Sequence, residues 1–319
     1  MTEVLLTGGA GHLGRALLPA LLAHPSQPRV VVVDRQPAIL VHPRLTWRQV
    51  DLRLAPWEEW LPGVQSIIHL AFVVLSPHYG PQWSWRRAMA GVNRSATWRL
   101  VQAAARSGVA HILVSSSVSV YGAWPDNPIP ITEEQALRPP PGFAYAEDKA
   151  AVENLLEIAS KLYPHLGIAR LRLHAIVGPR AQALVNGIAC SPLGLRLPNP
   201  DLPVQCLHEE DAVAALLVAW EKQSRGIFHV AAPDPIPWSA IPRQRQLPIT
   251  PRQLHAMHQL LRPVTRLLGD PGWLLGLEYP LIVDIGKGQR EWDWRPRYSV
   301  ATALAAVREE CCAKVRRAN

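Results

Sequence analysis

Cysteine is scarce in this chain. Four occur in 319 residues, at Cys190, Cys206, Cys311 and Cys312. No two stand at C-x-x-C spacing, and Cys311 and Cys312 are neighbours within a helical pattern. That argues against a cysteine-built metal site or dithiol redox centre and fits a reduced compartment. Lysine is scarce as well: five of the 33 basic residues are lysine and the rest arginine. The arginines are scattered, with small clusters at Arg86–Arg87, Arg243–Arg245 and Arg316–Arg317. No nucleic-acid-binding motif accompanies them. The net charge of +8 therefore reads as a solvated surface plus an anionic small-molecule site, with no nucleic-acid partner expected. Long apolar runs are missing too. No stretch of about eighteen apolar residues occurs, and the first residues lack a basic-then-apolar leader pattern. The expectation is a cytoplasmic protein with no membrane partner and no metal.

What is present begins at once. Met1–Gly14 read MTEVLLTGGAGHLG. An apolar run, Val4 to Leu6, leads through Thr7 to Gly8, Gly11 and Gly14 at G-x-x-G-x-x-G spacing, and an apolar helical pattern starts at Arg15. A buried strand, a glycine turn and a helix amino terminus together make a site for a dinucleotide pyrophosphate. Glycine allows the tight turn and the close backbone approach, and the helix supplies N–H groups and a favourable dipole. Val30–Asp34 (VVVVD) ends in an acid twenty residues after Gly14. A carboxylate there accepts from the adenosine ribose hydroxyls and repels a 2′-phosphate, which favours NAD. Arg35 beside it can accommodate that phosphate, so NADP stays open as the alternative.

The first half alternates strand and helix. Strands are expected at Val4–Thr7, Val30–Asp34, Leu45–Val50, Ser66–Phe72 and His111–Ser115, and helices at Arg15–Ala23 and Ala88–Gly108. Strands without polar alternation are buried on both faces, as in a parallel sheet flanked by helices. The fold class expected is α/β: a Rossmann-type doubly wound parallel sheet with a smaller carboxy-terminal substrate-binding lobe. After a Pro/Gly-rich loop at 121–143, a helix is expected at Ala144–Tyr163 and a strand at Ile168–Val177. A helix at Glu210–Lys222 and a strand at Gly226–Ala231 follow. Residues 180–206 and 233–300 break the alternation. The domains expected are 1–179 plus 207–232 for the cofactor, 180–206 plus 233–300 for the substrate lobe, and a terminal helix over 300–319.

A second motif is Tyr145-Ala-Glu-Asp-Lys149. At i,i+4 on a helix both side chains share one face. An ammonium beside a phenol favours the phenolate and lowers its pKa, giving a general acid/base for alcohol–ketone interconversion.

Together these features resemble the extended short-chain dehydrogenase/reductase family, the NAD-dependent epimerase/dehydratase group. TGGAGHLG is similar to its TGxxGxxG, Asp51–Leu52 to its adenine-contacting D-L pair, and His69-Leu70-Ala71 to the H-x-A that ends strand four. Asn93-Arg-Ser-Ala-Thr97 resembles N-V-x-G-T, with Ala96 where glycine is usual. Ser116-Ser-Val-Ser-Val-Tyr-Gly122 resembles S-S-x-x-V-Y-G. Arg172 with Gly178–Pro179, His208-Glu-Glu-Asp-Ala-Val-Ala214 and Trp294-Arg-Pro-Arg-Tyr298 complete the ordered set.

The resemblance implies roles. Ser117 is the catalytic hydroxyl, Tyr145 the acid/base and Lys149 its helper, while Asn93 supports a water relay or the helix bend. The cofactor would lie against Gly8, Gly11, His12, Leu13 and Gly14. It would also meet Asp34 and Arg35, then Asp51, Leu52, Leu70 and Ala71, and at its nicotinamide end Tyr145 and Lys149. His69 reads as packed rather than catalytic. Substrate candidates are Trp83, Trp85, Ser119, His174, Arg180 and Arg196. Departures matter as much. Dehydratases carry an Asp-Glu pair where Val118 and Ser119 stand, and nucleotide-sugar epimerases usually carry Asn where Ala175 stands. The expectation is an NAD-dependent oxidoreductase on a secondary alcohol or ketone, foremost a nucleotide-sugar epimerase. A keto-reductase or hydroxysteroid-type dehydrogenase on a less charged substrate is the alternative. A non-catalytic NAD(P)-binding scaffold or redox sensor is the reading from another class. The partners expected are a small-molecule substrate and a second copy of the chain, packed through helices 88–108 and 144–163.

Overall fold

A computed structural model describes residues 2–74, 82–181, 193–197, 199, 201–241, 245–261 and 271–318. The glycine turn sits between β1 (Glu3–Thr7) and α1 (His12–Ala23). Helix α1 begins three residues before the apolar pattern suggests, because the turn feeds straight into it. Pro19 lies inside it on an exposed face. Then come β2 (Arg29–Asp34), β3 (Leu45–Gln49), the single turn α2 (Trp57–Trp60) and β4 (Ser66–His69). The expected helix 88–108 is longer and interrupted. It runs as α3 (Gln82–Ala90), a π turn (Gly91–Ala96) and α4 (Thr97–Arg106). Next are β5 (His111–Ser117), α5 (Ala144–Leu162) and β6 (Gly167–Leu173).

The expected strand 168–177 is broken in two. Its last residues form β7 (Ile176–Val177), which pairs not with the main sheet but with β10 (Leu207–His208). The break falls at His174, whose ring takes the Ala175 N–H on Nδ1 and meets the Leu281 carbonyl through Nε2. Between them lie β8 (Leu193–Arg196) and β9 (Pro203–Val204). The chain continues through α6 (Glu209–Glu221), β11 (Gly226–Val230), β12 (Ile236–Pro237), β13 (Arg245–Pro248), α7 (Pro251–Leu261), α8 (Gly286–Trp292) and α9 (Val300–Ala318).

Seven strands form the central parallel sheet in the order β11-β6-β5-β4-β1-β2-β3. This is the doubly wound order, and it reverses between β1 and β4, where such folds open a crevice at the strand carboxyl ends. Both central strands β5 and β6 are buried at every residue, as a sheet covered on both faces requires.

The chain divides into two compact units. The first comprises 1–116, 148–172 and 213–228, and the second 117–147, 173–212 and 229–319. In the first, Leu5, Ile67 and Ile112 from the sheet pack with Leu100, Val101, Val152 and Leu156 from α4 and α5. In the second, Val177, Cys206 and Ala232 pack against Val300, Ala303 and Val307 of α9. The Asp211 carboxylate takes the Arg297 and Tyr298 N–H groups, and the Tyr298 ring stacks on His208 at 3.8 Å. The H-x-x-D and W-x-P-x-Y segments are therefore two halves of one contact. No described helix is long and apolar enough to cross a membrane.

Candidate active site

In the first unit the glycine turn is tight because the backbone leaves no alternative. Gly8 has φ +76°, and a Cβ there would stand 2.7 Å from the Ala71 nitrogen. A Cβ on Gly14 would stand 2.1 Å from the Gly8 oxygen. Gly9, outside the G-x-x-G-x-x-G spacing, is equally constrained, since its Cβ would meet Val32 at 2.5 Å. Gly11 caps α1, donating to Gly8 O at 3.0 Å and accepting from the Arg15 N–H at 2.9 Å. His12 and Leu13 are half-buried in the first turn. Backbone N–H groups of a first turn have no acceptor within the helix, which is what suits them to phosphate oxygens.

Asp34 braces this turn. One carboxylate oxygen takes the Ala10 N–H at 2.9 Å and the other the Gln36 N–H at 2.8 Å. Arg35 is exposed beside it. Asp51 is gripped by Arg53, whose Nη2 and Nε lie 2.7 Å and 3.0 Å from the two carboxylate oxygens. That guanidinium holds the Asp51 carboxyl below its ordinary value. Leu52 is buried, and Leu70 and Ala71 line the end of β4 half-buried.

His69 is structural. Its Nδ1 lies 2.7 Å from the Thr7 hydroxyl and its Nε2 2.8 Å from that of Thr97. Burial pushes it down to about 3, so it is neutral. Thr7 in turn accepts the Ala71 N–H at 3.2 Å. The threonine of the glycine motif and the H-x-A segment are thus one hydrogen-bonded knot.

Lys149 is buried on α5. Its Nζ donates to the Ser115 carbonyl at 2.6 Å and lies 3.8 Å from the centre of the Phe72 ring. Burial pushes it down to about 7. Asn93 is buried in the π turn. Its Oδ1 takes the Val73 N–H at 2.8 Å, while Nδ2 donates to Val73 O at 3.0 Å and to Asp148 at 2.8 Å. It is a strut from the π turn to the end of β4 and to α5.

In the second unit, Ser117 shares a hydrogen bond with Tyr145 and accepts the Ser119 N–H at 3.2 Å. Strand β5 carries Ser115 and Ser117, and helix α5 carries Tyr145 and Lys149. The strand end is therefore tied to the helix start twice. The Tyr145 phenol is not lowered as expected. Although the residue as a whole is half-buried, burial of its hydroxyl end pushes the phenol up, and the Ser117 hydrogen bond opposes this. The neutral phenol is the prevailing form, which can donate a proton, and the phenolate that accepts one is the minor form. The Ser119 hydroxyl is buried without a hydrogen-bond partner among the described residues.

The substrate candidates fare unevenly. His174 spends both ring nitrogens on backbone groups, and burial pushes it down to about 4. Arg180 meets Glu209 with its guanidinium and with its own N–H, each at 2.9 Å. Trp83, Trp85 and Arg196 fall in elements whose side chains there lie outside the described residues. Sequence motifs did not point to Gly9, Phe72, Asp148 or Arg53. The signal for Asp148 was within reach, because it stands inside the Tyr145–Lys149 motif.

The sequence pattern of the NAD dependent epimerase/dehydratase family matches residues 4–231, and the chain belongs to that family. An uncharacterized protein of Mycobacterium tuberculosis (strain ATCC 25618 / H37Rv) is 25% identical over 254 residues, 77% of this chain and 66% of that protein. A dTDP-glucose 4,6-dehydratase of Streptomyces griseus is 29% identical over 190 residues, 56% of this chain and 56% of that one. The chain thus spans just under two thirds of the first relative and a little over half of the second. A UDP-glucuronic acid 4-epimerase from Bacillus cereus, solved in complex with NAD, superposes with a TM-score of 0.73. It is 18% identical, with 98% of this chain and 99% of that one covered, a likeness of fold.

Proposed function

We propose that this chain is an NAD-dependent oxidoreductase of a secondary alcohol or ketone, acting as a nucleotide-sugar epimerase. The observation that carries the reading is the double tie of β5 to α5, Ser117 to Tyr145 and the Ser115 carbonyl to Lys149. A phenol, a hydroxyl and an amine, the usual parts of a general acid/base, are carried by this strand and this helix, which supports the reading. The glycine turn fits a pyrophosphate, because Gly8 and Gly14 let the chain fold back tightly on its own backbone and so bring the first turn of α1 directly after β1. Asp34 still has lone pairs for the ribose hydroxyls after accepting from Ala10 and Gln36. When bound, NAD supplies the nicotinamide carbon that takes a hydride from the substrate carbinol carbon and can return it.

The chain's own residues handle the proton. Ser117 orients the substrate oxygen, and Tyr145, through its minor phenolate form, takes the hydroxyl proton as the carbon loses hydride, then as the phenol gives it back on reduction. Net epimerisation follows if the ketone turns over before it is reduced. Ser119 offers its unpartnered hydroxyl to a second substrate oxygen. Elimination of water is disfavoured, because Val118 and Ser119 supply no carboxylate. The similarity to a dTDP-glucose 4,6-dehydratase supports a nucleotide-sugar substrate. The ion pair of Arg180 with Glu209 favours a second reading, a keto-reductase on a less charged ketone, since that guanidinium is already matched.

Both readings are tested on the purified chain with UDP-glucose, UDP-glucuronic acid, dTDP-glucose and a panel of simple ketones. An epimerase retains NAD(H) and releases no NADH as a sugar nucleotide turns over. Stoichiometric exchange with free cofactor on a simple alcohol or ketone establishes the second reading instead. Tyr145→Phe should cut turnover by about 10²–10⁴-fold, the usual worth of a positioned acid/base, while cofactor binding persists. Unchanged turnover removes Tyr145 from the mechanism.

A further inference from the structure

Lys149 has two acidic neighbours on its own helix, and they are neutralised in different ways. Glu153, one turn later, is buried at 1% exposure. It takes Arg172 of β6 on both carboxylate oxygens, at 2.8 Å from Nε and 2.5 Å from Nη2, and the Ser116 hydroxyl besides. That pair is sealed from water, and Glu153 still draws Lys149 toward ammonium, more strongly than Asp148 does. Asp148, directly before Lys149, is also buried, and takes Asn93 Nδ2 at 2.8 Å and Arg94 Nε at 2.6 Å. Its cation is different, because the Arg94 side chain is 42% exposed against 5% for Asp148. Both of its ligands come from the π turn, the one irregular turn in the helix that faces α5. Turns of this kind recur at functional sites.

Uncharged groups also face Lys149. His69 of β4 is neutral, Phe72 presents a ring face and Ser115 of β5 a carbonyl. Tyr145, one turn earlier on α5, is a neutral phenol. Arg172 is committed to Glu153.

We propose that Arg94 and Asp148 are positioning residues that set the charge on Lys149: the Asp148 carboxylate draws the amine toward ammonium, and Arg94, from the solvent side, offsets that pull. The proposal rests on the active-site reading only in giving Lys149 a task; the charge relation itself belongs to the first unit. It makes the π turn an electrostatic control on the helper lysine as well as a mechanical strut.

The two partners of this ion pair must act in opposite directions, which a merely structural role would not produce. The test is carbon NMR of the full chain carrying [13Cε]lysine. Five lysines give five signals, and Lys149 is the one missing from Lys149→Met. Asp148→Asn should lower the Lys149 titration midpoint by roughly one pH unit, and Arg94→Met should raise it by roughly half a unit. Arg94→Lys should restore the original midpoint. Simple loosening of the site would let water reach the amine and raise the midpoint in both variants. A rise or no change in Asp148→Asn overturns the proposal. Should that variant fold poorly, an unmoved midpoint in Arg94→Met overturns it equally, since Arg94 is partly exposed and removable. The titration needs no substrate. If it behaves as described while Tyr145→Phe keeps full turnover, the catalytic reading fails and the charge relation stands.

Discussion

Glycine and histidine show how differently single residues carry this site. At Gly14 a Cβ would sit 2.1 Å from a backbone oxygen and 2.6 Å from the Gly9 Cα, so nothing flexible can yield. Gly14→Ala should weaken NAD binding more than tenfold, measured by calorimetry, and cost about 1–3 kcal/mol in a denaturant melt. Gly91→Ala is the contrast, because its Cβ would meet nothing nearer than the Arg53 side chain at 3.8 Å. That variant should stay within about 0.5 kcal/mol of the parent. Equal losses in the two variants would show that the turn is not the constrained element. The glycine spacing was legible in sequence because backbone sterics leave one residue type. The roles of Asn93 and His174 were not, because an amide or imidazole can bond a ligand or a neighbouring backbone, and only the surroundings decide. His174 bonds backbone groups, and Asn93 bonds the Val73 backbone and the Asp148 carboxylate.

At the scale of elements, β5, β6 and α5 are held by the Glu153–Arg172 pair. Removing one partner of a buried pair leaves the other charge without compensation, which costs about 3–5 kcal/mol. Glu153→Ala should lower the urea unfolding free energy by that amount. A loss under about 1 kcal/mol would mean that water reaches Arg172 and the pair is not sealed. Strand runs such as VVVVD and the β5 run announced themselves through uninterrupted apolar residues. The π turn at 91–96 did not, since a single extra residue in a helix barely disturbs the apolar period. Nor did the break of β6 from β7, where the apolar run IARLRLHAIV continues across a change of sheet. Apolar periodicity reports burial and is silent about which neighbour provides it.

For the whole molecule, each unit contains a histidine kept neutral by burial. His69 is pushed down to about 3 and His174 to about 4. Their unfolded values lie near 6.5, so the unfolded chain binds protons that the folded chain refuses. The stability they contribute is intact above about pH 6.5 and is lost as pH falls through about 4. Glu133, pushed up by burial, works in the opposite sense and moderates the loss. The melting temperature should therefore drop between pH 6.5 and 4, and His174→Gln should flatten part of that drop. An equally steep drop in the variant would assign acid sensitivity to other groups.

The sequence by itself determined the doubly wound sheet, the glycine turn and the placing of Ser117 on one strand and of Tyr145 and Lys149 on one helix. These depend on local sterics, apolar period and fixed spacing along one strand or helix. Tertiary structure alone decided the charge and availability of each group. Tyr145 became a neutral acid by burial, Lys149 moved toward half-ionisation near neutral pH, Arg180 was matched by Glu209, and Asp148 acquired Arg94. Desolvation and ion pairing depend on residues far apart in the chain, and no local pattern encodes them.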